Sequence, residues 1–334
     1  MNKYSLQEFK YLFNKIIYQY SITSILIAIS GGQDSICLIK FINHLKEENS
    51  FNQKLKISYI YIDHQWKNNS YKQIKQIINY IKLIKGFITI YQIKKILITE
   101  NKCRINRYNI ICKHALKYNY QLVITGHNQT DKIETFIQNL IRGSGIEGLT
   151  SLTLKVKLYR NKLFFRPLLN ITREMIYWFC KRFYLPIWSD NTNYIYQIQR
   201  NRIRNELLPY IKKYFHHNAE NNIKYLLYTY YYDNEYIKQN TIKLYLKNRH
   251  NKYISIKYTQ IIKQNFTLQL RIIQLFYFHN LQFQIEYKKV IKIIKLINEN
   301  ILNSCIIIKY NFYILQIYKK WLYITITNNF IQDL

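Results

Sequence analysis

Glycine and proline are scarce in this sequence and unevenly placed. Seven glycines occur in 334 residues, the last being Gly148, and the three prolines all lie between positions 167 and 209. Beyond Pro209 neither residue appears, and Lys, Tyr, Ile and Asn dominate. A shift in composition of this kind indicates a domain boundary, and the chain length fits about two domains. We expect one domain over residues 1–210 and a second over residues 211–334.

Cysteine pairs and long apolar runs are missing. The five cysteines form no CxxC pair and are odd in number, which argues against a disulfide framework, a zinc ribbon or an iron-sulfur site. No apolar run approaches the length of a membrane span. The first ten residues mix Lys3 and Lys10 with Glu8, so neither a signal peptide nor an acid-poor transit peptide is indicated. We expect a protein without membrane contact, made in the compartment where it works.

Acidic residues are few. Eighteen Asp and Glu stand against fifty Lys and Arg, which gives a net charge of +32, while 49% of residues are hydrophobic and 16% aromatic. The apolar content suffices for a folded core, so the charge does not indicate disorder. AT-rich codon usage accounts for much of the Lys, Asn, Ile, Tyr and Phe content but not for all of the charge. Cationic surface with many aromatic rings favours RNA as the partner.

Strands and helices alternate in the first 150 residues. The apolar run Ser24–Ile29 predicts a buried strand that turns at Gly31-Gly32 and enters a helix over residues 34–44. Further strands are predicted at 57–62, 87–91 and 122–125, with helices near 71–84 and 106–118 between them. This alternation is typical of an α/β domain with a parallel sheet covered on both faces. The second, smaller domain is predicted to be basic and mainly helical over residues 210–299, followed by strands at 305–308, 312–317 and 321–326.

A glycine-containing loop follows the first strand. In Ser30-Gly31-Gly32-Gln33-Asp34-Ser35, backbone N–H groups and the start of a helix can converge on a phosphate group. The Gly-Lys-Ser/Thr element of a Walker loop is missing. Because an aspartate beside phosphate oxygens needs a bridging cation, Asp34 predicts Mg²⁺ and hence Mg-ATP. The alternative is an ordinary helix start at which Asp34 or Ser35 caps free amides.

Further motifs accompany this loop in a fixed order. They are Asp63-His64, Gly126-His127-Asn128-Gln129-Thr130-Asp131-Lys132-Ile133-Glu134-Thr135, Arg142-Gly143-Ser144-Gly145-Ile146-Glu147-Gly148-Leu149, Arg166-Pro167-Leu168-Leu169, Asp190-Asn191-Thr192-Asn193 and Arg200-Asn201-Arg202-Ile203-Arg204 with Leu207-Leu208-Pro209. The loop alone resembles the PP-loop ATP pyrophosphatases, which are adenine nucleotide alpha hydrolase-like enzymes. The full set, over residues 20–210, resembles the tRNA(Ile)-lysidine synthases, whose patterns include SGGxDS, GHxxDDxxET, RGSGxxGL, RPLL and RNxIRxxLLP. One departure is Thr130, which stands where the family usually has the first of two adjacent acids.

The resemblance implies roles for individual residues. Implied catalytic residues are Asp34, His127, Asp131 and Arg142, and implied ATP-binding residues are Ser30, Gly31, Gly32, Gln33, Asp34, Ser35, Asp63 and His64. Implied substrate-binding residues are Glu134, Arg166, Arg200, Arg202 and Arg204, and Asp34 and Asp131 are the implied Mg²⁺ ligands. The residue types agree with these roles: Asp131 and Glu134 share a helix face, so one acid can assist Asp34 and another can bind an ammonium group. Arg200 and Arg204 are one helical turn apart, whereas Arg202 points elsewhere.

The resemblance also implies a reaction. ATP would adenylate the C2 oxygen of the wobble cytidine in isoleucine tRNA with a CAU anticodon and release pyrophosphate, and free L-lysine would then attack C2 and displace AMP, changing codon reading from AUG to AUA. The second domain would hold the tRNA, a homodimer is possible, and the compartment would be the plastid stroma or, alternatively, the cytoplasm of a reduced bacterium. Two other functions stay open: a PP-loop tRNA 2-thiolation enzyme, which the missing CxxC disfavours, and a catalytically decayed tRNA-binding protein, which the intact loop disfavours. An NAD or GMP synthetase would leave the arginine motifs unexplained.

Overall fold

The computed structural model describes residues 3–48, 55–65, 70–93, 100–157, 162–188, 196–298, 304–309 and 313–326. The chain forms two compact units, Met1–Leu227 and Tyr228–Leu334.

The first unit contains a six-stranded sheet. Its strands are β1 (Ser24–Ile29), β2 (Lys56–Asp63), β3 (Phe87–Gln92), β4 (Leu122–Thr125), β5 (Lys155–Lys157) and β6 (Leu163–Phe165), in the spatial order β3-β2-β1-β4-β6-β5. All neighbouring strands are parallel except β5, which runs antiparallel to β6. The predicted parallel sheet and its first four strands are confirmed. The short strands β5 and β6 were not predicted.

Helices connect and cover these strands. They are α1 (Lys3–Gln19), α2 (Gln33–Glu47), α3 (Ser70–Leu83), α4 (Glu100–Lys117), α5 (Gln129–Ile141), α6 (Ile146–Leu149), α7 (Arg173–Arg182), α8 (Gln199–Arg202), a π-helical turn (Ile203–Leu207) and α9 (Leu208–Tyr214). The helices predicted near 34–44, 71–84 and 106–118 are confirmed as α2, α3 and α4. Helix α1 was not predicted.

Alternate residues of β1 show why both faces of the sheet are covered. Ile25 and Ile27 are fully buried in a core that includes residues of α1, α2 and α7, while Leu26 packs in a second core with Ile111 of α4. Successive side chains of a strand point to opposite faces, so a strand that is apolar at every position needs helices on both sides. Strand β1 therefore lies at the centre of a three-layer unit.

The strand order fixes where a ligand can bind. Strand β1 pairs with β2 on one side and with β4 on the other, so the chain leaves the carboxyl end of β1 at the point where the strand order reverses. Open α/β sheets bind ligands in the crevice at such a point. The loops after β1, β2 and β4 meet at this edge.

The second unit has its own core. Helix α10 (Ala219–Asn248) begins before residue 228, and the unit continues with β7 (Ser255–Ile256), α11 (Tyr258–Ile261), α12 (Phe266–Leu281), α13 (Tyr287–Asn298), β8 (Ser304–Lys309), β9 (Tyr313–Tyr318) and β10 (Trp321–Ile326). The strands form an antiparallel sheet in the order β7-β10-β9-β8. The helical prediction for residues 210–299 is confirmed apart from β7, and the three later strands are confirmed; Phe312 lies outside the described residues. Among the helices described, none is long and apolar enough to cross a membrane.

Candidate ATP and substrate site

The loop after β1 is held from behind by α3. Gly31 has φ +77°, and a Cβ added there would lie 2.7 Å from Cδ1 of Ile77 and 2.8 Å from Nε2 of Gln73. Gln73 also donates from Nε2 to the carbonyl oxygen of Ser30, at 2.8 Å. Only glycine combines this backbone conformation with this close approach. The packing of α3 therefore fixes the loop and leaves the start of α2 open to a ligand.

Asp34 lies in the first turn of α2, where the loop after β4 comes very close. A Cβ on Gly126 of that loop would lie 3.3 Å from the backbone of Asp34 and Ser35. Oδ1 of Asp34 is buried and has no hydrogen-bond partner. Burial, followed by the nearby Asp131 carboxylate, raises the pKa of Asp34 to about 6. A cation bound at the unpaired oxygen would take the place of the missing hydrogen-bond partner and would stabilise the charged form of this carboxylate.

These properties fit a magnesium ion that is shared with a nucleotide. Mg²⁺ commonly binds one or two carboxylates together with substrate phosphates and waters. Within the described ranges, no group of three or more His, Cys, Asp or Glu side chains forms a complete protein cage for a metal. The unpaired oxygen of Asp34, beside a loop that can hold phosphates, therefore suits a cation that the nucleotide brings with it.

Asp63 and His64 follow β2 at the same edge. Asp63 accepts a hydrogen bond at Oδ1 from the backbone N–H of Gln65 (2.9 Å), and its other oxygen is buried without a partner. Nε2 of His64 accepts from Nε of Arg107 at 3.2 Å. Burial, and then the Arg107 charge, lower the pKa of His64 to about 4. His64 is therefore neutral at physiological pH, with its Nδ1 buried and unpaired.

His127 follows β4 and faces the same crevice. Its Nδ1 lies 2.9 Å from Oγ1 of Thr125. Burial lowers the pKa of His127 to about 3, so the ring is neutral. A neutral imidazole can accept or donate one proton in a hydrogen bond, and it adds no positive charge to the site.

Two acids and two arginines form a buried ion-pair cluster beside the loop, which we call the charge cluster: Asp131, Glu134, Arg200 and Arg204. Oδ1 of Asp131 accepts from Nη2 of Arg200 at 2.7 Å and from Nη2 of Arg204 at 3.1 Å. Glu134, whose side chain is 0% exposed, accepts from Nε of Arg200 at 2.6 Å and from Nη2 of Arg204 at 3.0 Å. The remaining Asp131 oxygen closes a capping box with the N–H of Asn128. Burial raises the pKa of Asp131, but Arg200 and then Arg204 outweigh it and hold that pKa below its usual value.

Local helix geometry brings the two arginines together. Residues Ile203–Leu207 form a π-helical turn between α8 and α9. Arg200 and Arg204 both reach the start of α5, whereas Arg202 is exposed and pairs with Glu206 at 3.0 Å. The prediction that Arg202 points away from the other two is confirmed. π-Helical turns are frequent at functional sites.

Two cavities meet at this point in the first unit. The strand-end cavity, about 430 Å³, is lined by the ends of β1, β2 and β4, and its walls include Asp63, His64, His127, Asp131 and Arg200. The helix-side cavity, about 1050 Å³, is lined by Thr172, Arg173, Tyr177, Trp188, Lys212 and Lys213 among others. Ser30, Asp34, Gln73 and Arg204 line both. Asp34 therefore stands between two spaces that are large enough for two different ligands.

Three predicted site residues lie elsewhere or have other partners. Arg142, expected near the transferred group, is exposed at the end of α5, about 20 Å along the helix from its start, and lines neither cavity. Glu134 is completely buried behind the arginines instead of facing the crevice. Arg166 is buried and donates from Nη1 to the carbonyl oxygen of Thr153 at 2.8 Å, with Nε unpaired. Residues 190–193 lie outside the described part of the chain.

Sequence reasoning missed most of the helix-side cavity. Arg173, Trp188, Lys212 and Lys213 line it, but none belongs to a motif that was considered. Arg173 directly follows Thr172, which caps α7 by accepting from the N–H of Met175 at 3.2 Å. A basic residue just after a helix cap is a weak signal by itself. Only the fold places it opposite the phosphate loop.

Comparisons with known proteins agree with this geometry. A family model described as a PP-loop domain matches residues 3–211. The chain is 45% identical over 309 residues to the chloroplast tRNA(Ile)-lysidine synthase of Gracilaria tenuistipitata var. liui, covering 90% of this chain and 92% of that protein. It is 34% identical over 302 residues to the chloroplast tRNA(Ile)-lysidine synthase of Pyropia yezoensis, covering 90% of each.

Among solved structures, a U34-tRNA thiolase of Methanococcus maripaludis has a TM-score of 0.53 at 16% identity, covering 67% of this chain and 79% of that one. At that identity the likeness concerns the fold alone. The family match is more specific, because it extends over the loop and the charge cluster, and the two relatives each cover 90% of the chain. The chain belongs to the PP-loop enzymes and, within them, to the tRNA(Ile)-lysidine synthase family.

Proposed function

We propose that this enzyme uses ATP to adenylate the C2 oxygen of the wobble cytidine of isoleucine tRNA with a CAU anticodon, releasing pyrophosphate, and that the amine of lysine then attacks C2 and expels AMP. One observation carries the proposal: Asp34, with its unpaired buried oxygen, stands where the strand-end cavity meets the helix-side cavity. A two-substrate transfer needs this arrangement, with the nucleotide on one side of the acid and the acceptor base on the other.

ATP occupies the strand-end cavity in this proposal. The backbone N–H groups of the loop and the start of α2 hold the phosphates, and the glycine at position 31 lets the loop pack closely against α3. Asp63 and His64 line the same cavity with unpaired buried polar atoms, so they are placed to bind the nucleoside. Because His64 is neutral, its contact with the nucleoside is a hydrogen bond without charge.

Mg²⁺ is held by Asp34. The ion supplies charge neutralisation for the departing pyrophosphate when it is bound. The sequence also predicts Asp131 as a ligand, but its oxygens already accept from Arg200, Arg204 and the backbone of Asn128. We therefore assign the metal to Asp34 alone and assign the charge cluster to the binding of lysine.

Lysine binds where the charge cluster faces the strand-end cavity. Asp131, Arg200 and Arg204 line that cavity. An amino acid carries a carboxylate, and Arg200 and Arg204, which keep 19% and 16% of their side-chain surface exposed, can bind it. Glu134 supports this site from behind by holding both guanidinium groups in place. The lysine amine must lose its proton before it attacks; His127, whose low pKa keeps it neutral, can hydrogen-bond that amine but is too weak a base to take its proton.

The target base enters the helix-side cavity. Tyr177 and Trp188 offer aromatic surface there, and Arg173, Lys212 and Lys213 offer positive charge. An unpaired base that stacks on aromatic rings with its phosphates near cations is the usual form of RNA recognition. Arg204 borders both cavities, so it can stabilise the charge that develops on the phosphoryl group between them.

The second unit serves as further tRNA-binding surface in this proposal. Residues 228–334 contain 15 basic and 5 acidic residues. A surface of that sign attracts the phosphate backbone without reading its sequence. The enzyme acts in a plastid, as its chloroplast relatives do.

The test is to trap the intermediate. Protein is incubated with ATP labelled in the α-phosphate, Mg²⁺ and a CAU transcript, first without lysine. The proposal predicts label on the RNA, and its release as AMP when lysine is added. Labelled RNA that lysine does not discharge, while a sulfur donor does, would favour the thiolation alternative. RNA binding without any label would favour the decayed binding protein.

A further inference from the structure

Exposed aromatic rings gather on two helices that border the helix-side cavity. On α7, Tyr177 and Trp178 are 48% and 61% exposed, and on α9, Tyr210 and Tyr214 are 54% and 62% exposed. The ring centroids of the two pairs are 5.8 and 4.8 Å apart. We call these four side chains the aromatic rim. Large apolar side chains that are exposed together mark a binding surface more often than chance.

The aromatic rim is continuous with the cavity. Tyr177 and Lys213 line the cavity itself. Nζ of Lys212 lies 3.1 Å from Oε1 of Glu174, and this ion pair joins α9 to α7. Trp178 adjoins Tyr177 on the outer side of α7. Tyr177 and Lys213 therefore connect the cavity wall to the exposed rings beside them on α7 and α9.

A lysine accompanies a ring on each helix. Nζ of Lys181 is 5.3 Å from the ring centroid of Trp178, and Nζ of Lys213 is 5.0 Å from that of Tyr214. Bases of any sequence stack on aromatic side chains, and nearby cations contact the phosphates between them. The rim thus combines the two groups that an unpaired nucleotide requires.

We propose that the aromatic rim binds the unpaired nucleotides on either side of the target base. Their bases stack on Trp178 and Tyr214, while Lys181 and Lys213 contact their phosphates. The inference rests on the proposed function, because it places the target base in the helix-side cavity. The net charge favours RNA as the ligand of the aromatic rim. A second copy of the chain is disfavoured, because each chain carries +32 and two such chains repel each other.

The test compares RNA binding by the full-length enzyme and three variants. A stem-loop RNA with the CAU anticodon is titrated by fluorescence anisotropy against wild type, Trp178→Ala, Tyr214→Ala and the control Tyr118→Ala. Tyr118 is 49% exposed and has Nζ of Lys117 5.4 Å from its ring, but it follows the end of α4, before the start of β4 and hence at the opposite edge of the sheet. Each rim variant should weaken binding about tenfold, and the control should stay within about twofold. The KM for ATP should be unchanged in all variants.

Two results would overturn the inference. One is rim variants that bind the stem-loop as tightly as wild type. The other is a rim variant that converts a dimer to a monomer in sedimentation with RNA binding unchanged, because a second copy would then cover the rim. If the wild type never transfers lysine but the rim variants still lose RNA affinity, the proposed reaction fails and the rim inference stands.

Discussion

Removing the charge of Glu134 should destabilise the first unit strongly. The Glu134 side chain is 0% exposed, and the variant Glu134→Gln leaves two guanidinium groups facing a neutral amide with its own N–H donors. Breaking a buried ion pair costs about 3–5 kcal/mol. Arg200 and Arg204 keep 19% and 16% of their side-chain surface exposed, so water relieves part of this cost. We expect about 3 kcal/mol.

The assay is differential scanning calorimetry of the full-length protein without ligands. For a unit of this size, about 3 kcal/mol corresponds to a fall in Tm of about 6–12 °C. The matched control is Glu206→Gln, which removes the same charge from the exposed pair with Arg202, where the side chains are 48% and 64% exposed. Exposed helix pairs contribute about 0.3–0.5 kcal/mol, so the control should lose about 2 °C at most. A loss for Glu134→Gln no larger than that of the control would refute the reasoning.

Three further outcomes are expected. The pKa of Asp34, raised to about 6, means that the folded protein binds this proton more tightly than the unfolded chain. The stability that this group contributes is present at low pH and is lost as the pH rises through 6. In the ligand-free protein at pH 7.5, Asp34→Asn should therefore raise the free energy of unfolding by up to about 3 kcal/mol and with it the Tm, and an unchanged or lower Tm would contradict this. Gly31→Ala should abolish ATP binding measured by calorimetry. The control Gly143→Ala should retain ATP binding, because Gly143 has φ +71° but no atom lies within 4 Å of the added Cβ. An equal loss of ATP affinity in both variants would show that the close contacts at Gly31 are not the cause. Cys37 and Cys180 are buried, and burial raises the pKa of the Cys37 thiol, so a thiol reagent should label neither in the native protein; rapid labelling would contradict this packing.

The α/β architecture could be predicted because β1 is apolar over the five positions Ile25–Ile29 and is followed by a glycine loop and a helix. Such a strand is buried on both faces, which favours a parallel sheet. Helix α1 was not predicted, although Phe9, Phe13, Ile16 and Ile17 recur at helical spacing and are buried. Strands β5 and β6 have three residues each, too few for a periodic pattern to be visible.

The loop side of the site followed from sequence, since Asp34, Asp63 and His127 each lie at the carboxyl end of a strand or within five residues of it. The charge cluster did not, because Glu134 and Arg204 are 70 positions apart and only the fold brings them into contact. For Arg142, by contrast, the sequence suggested a role in the site that the structure does not support. Its position beside glycines suggested a phosphate contact, but α5 carries it away from the crevice.

Transfer of labelled lysine to tRNA tests the central claim most directly. Wild type, Asp34→Ala and the surface control Glu206→Gln are each incubated with Mg-ATP, labelled lysine and isoleucine tRNA transcripts carrying CAU or UAU anticodons. The account predicts label on the CAU transcript alone, with wild type and Glu206→Gln active and Asp34→Ala inactive. Transfer to both transcripts, or undiminished transfer by Asp34→Ala, would contradict it.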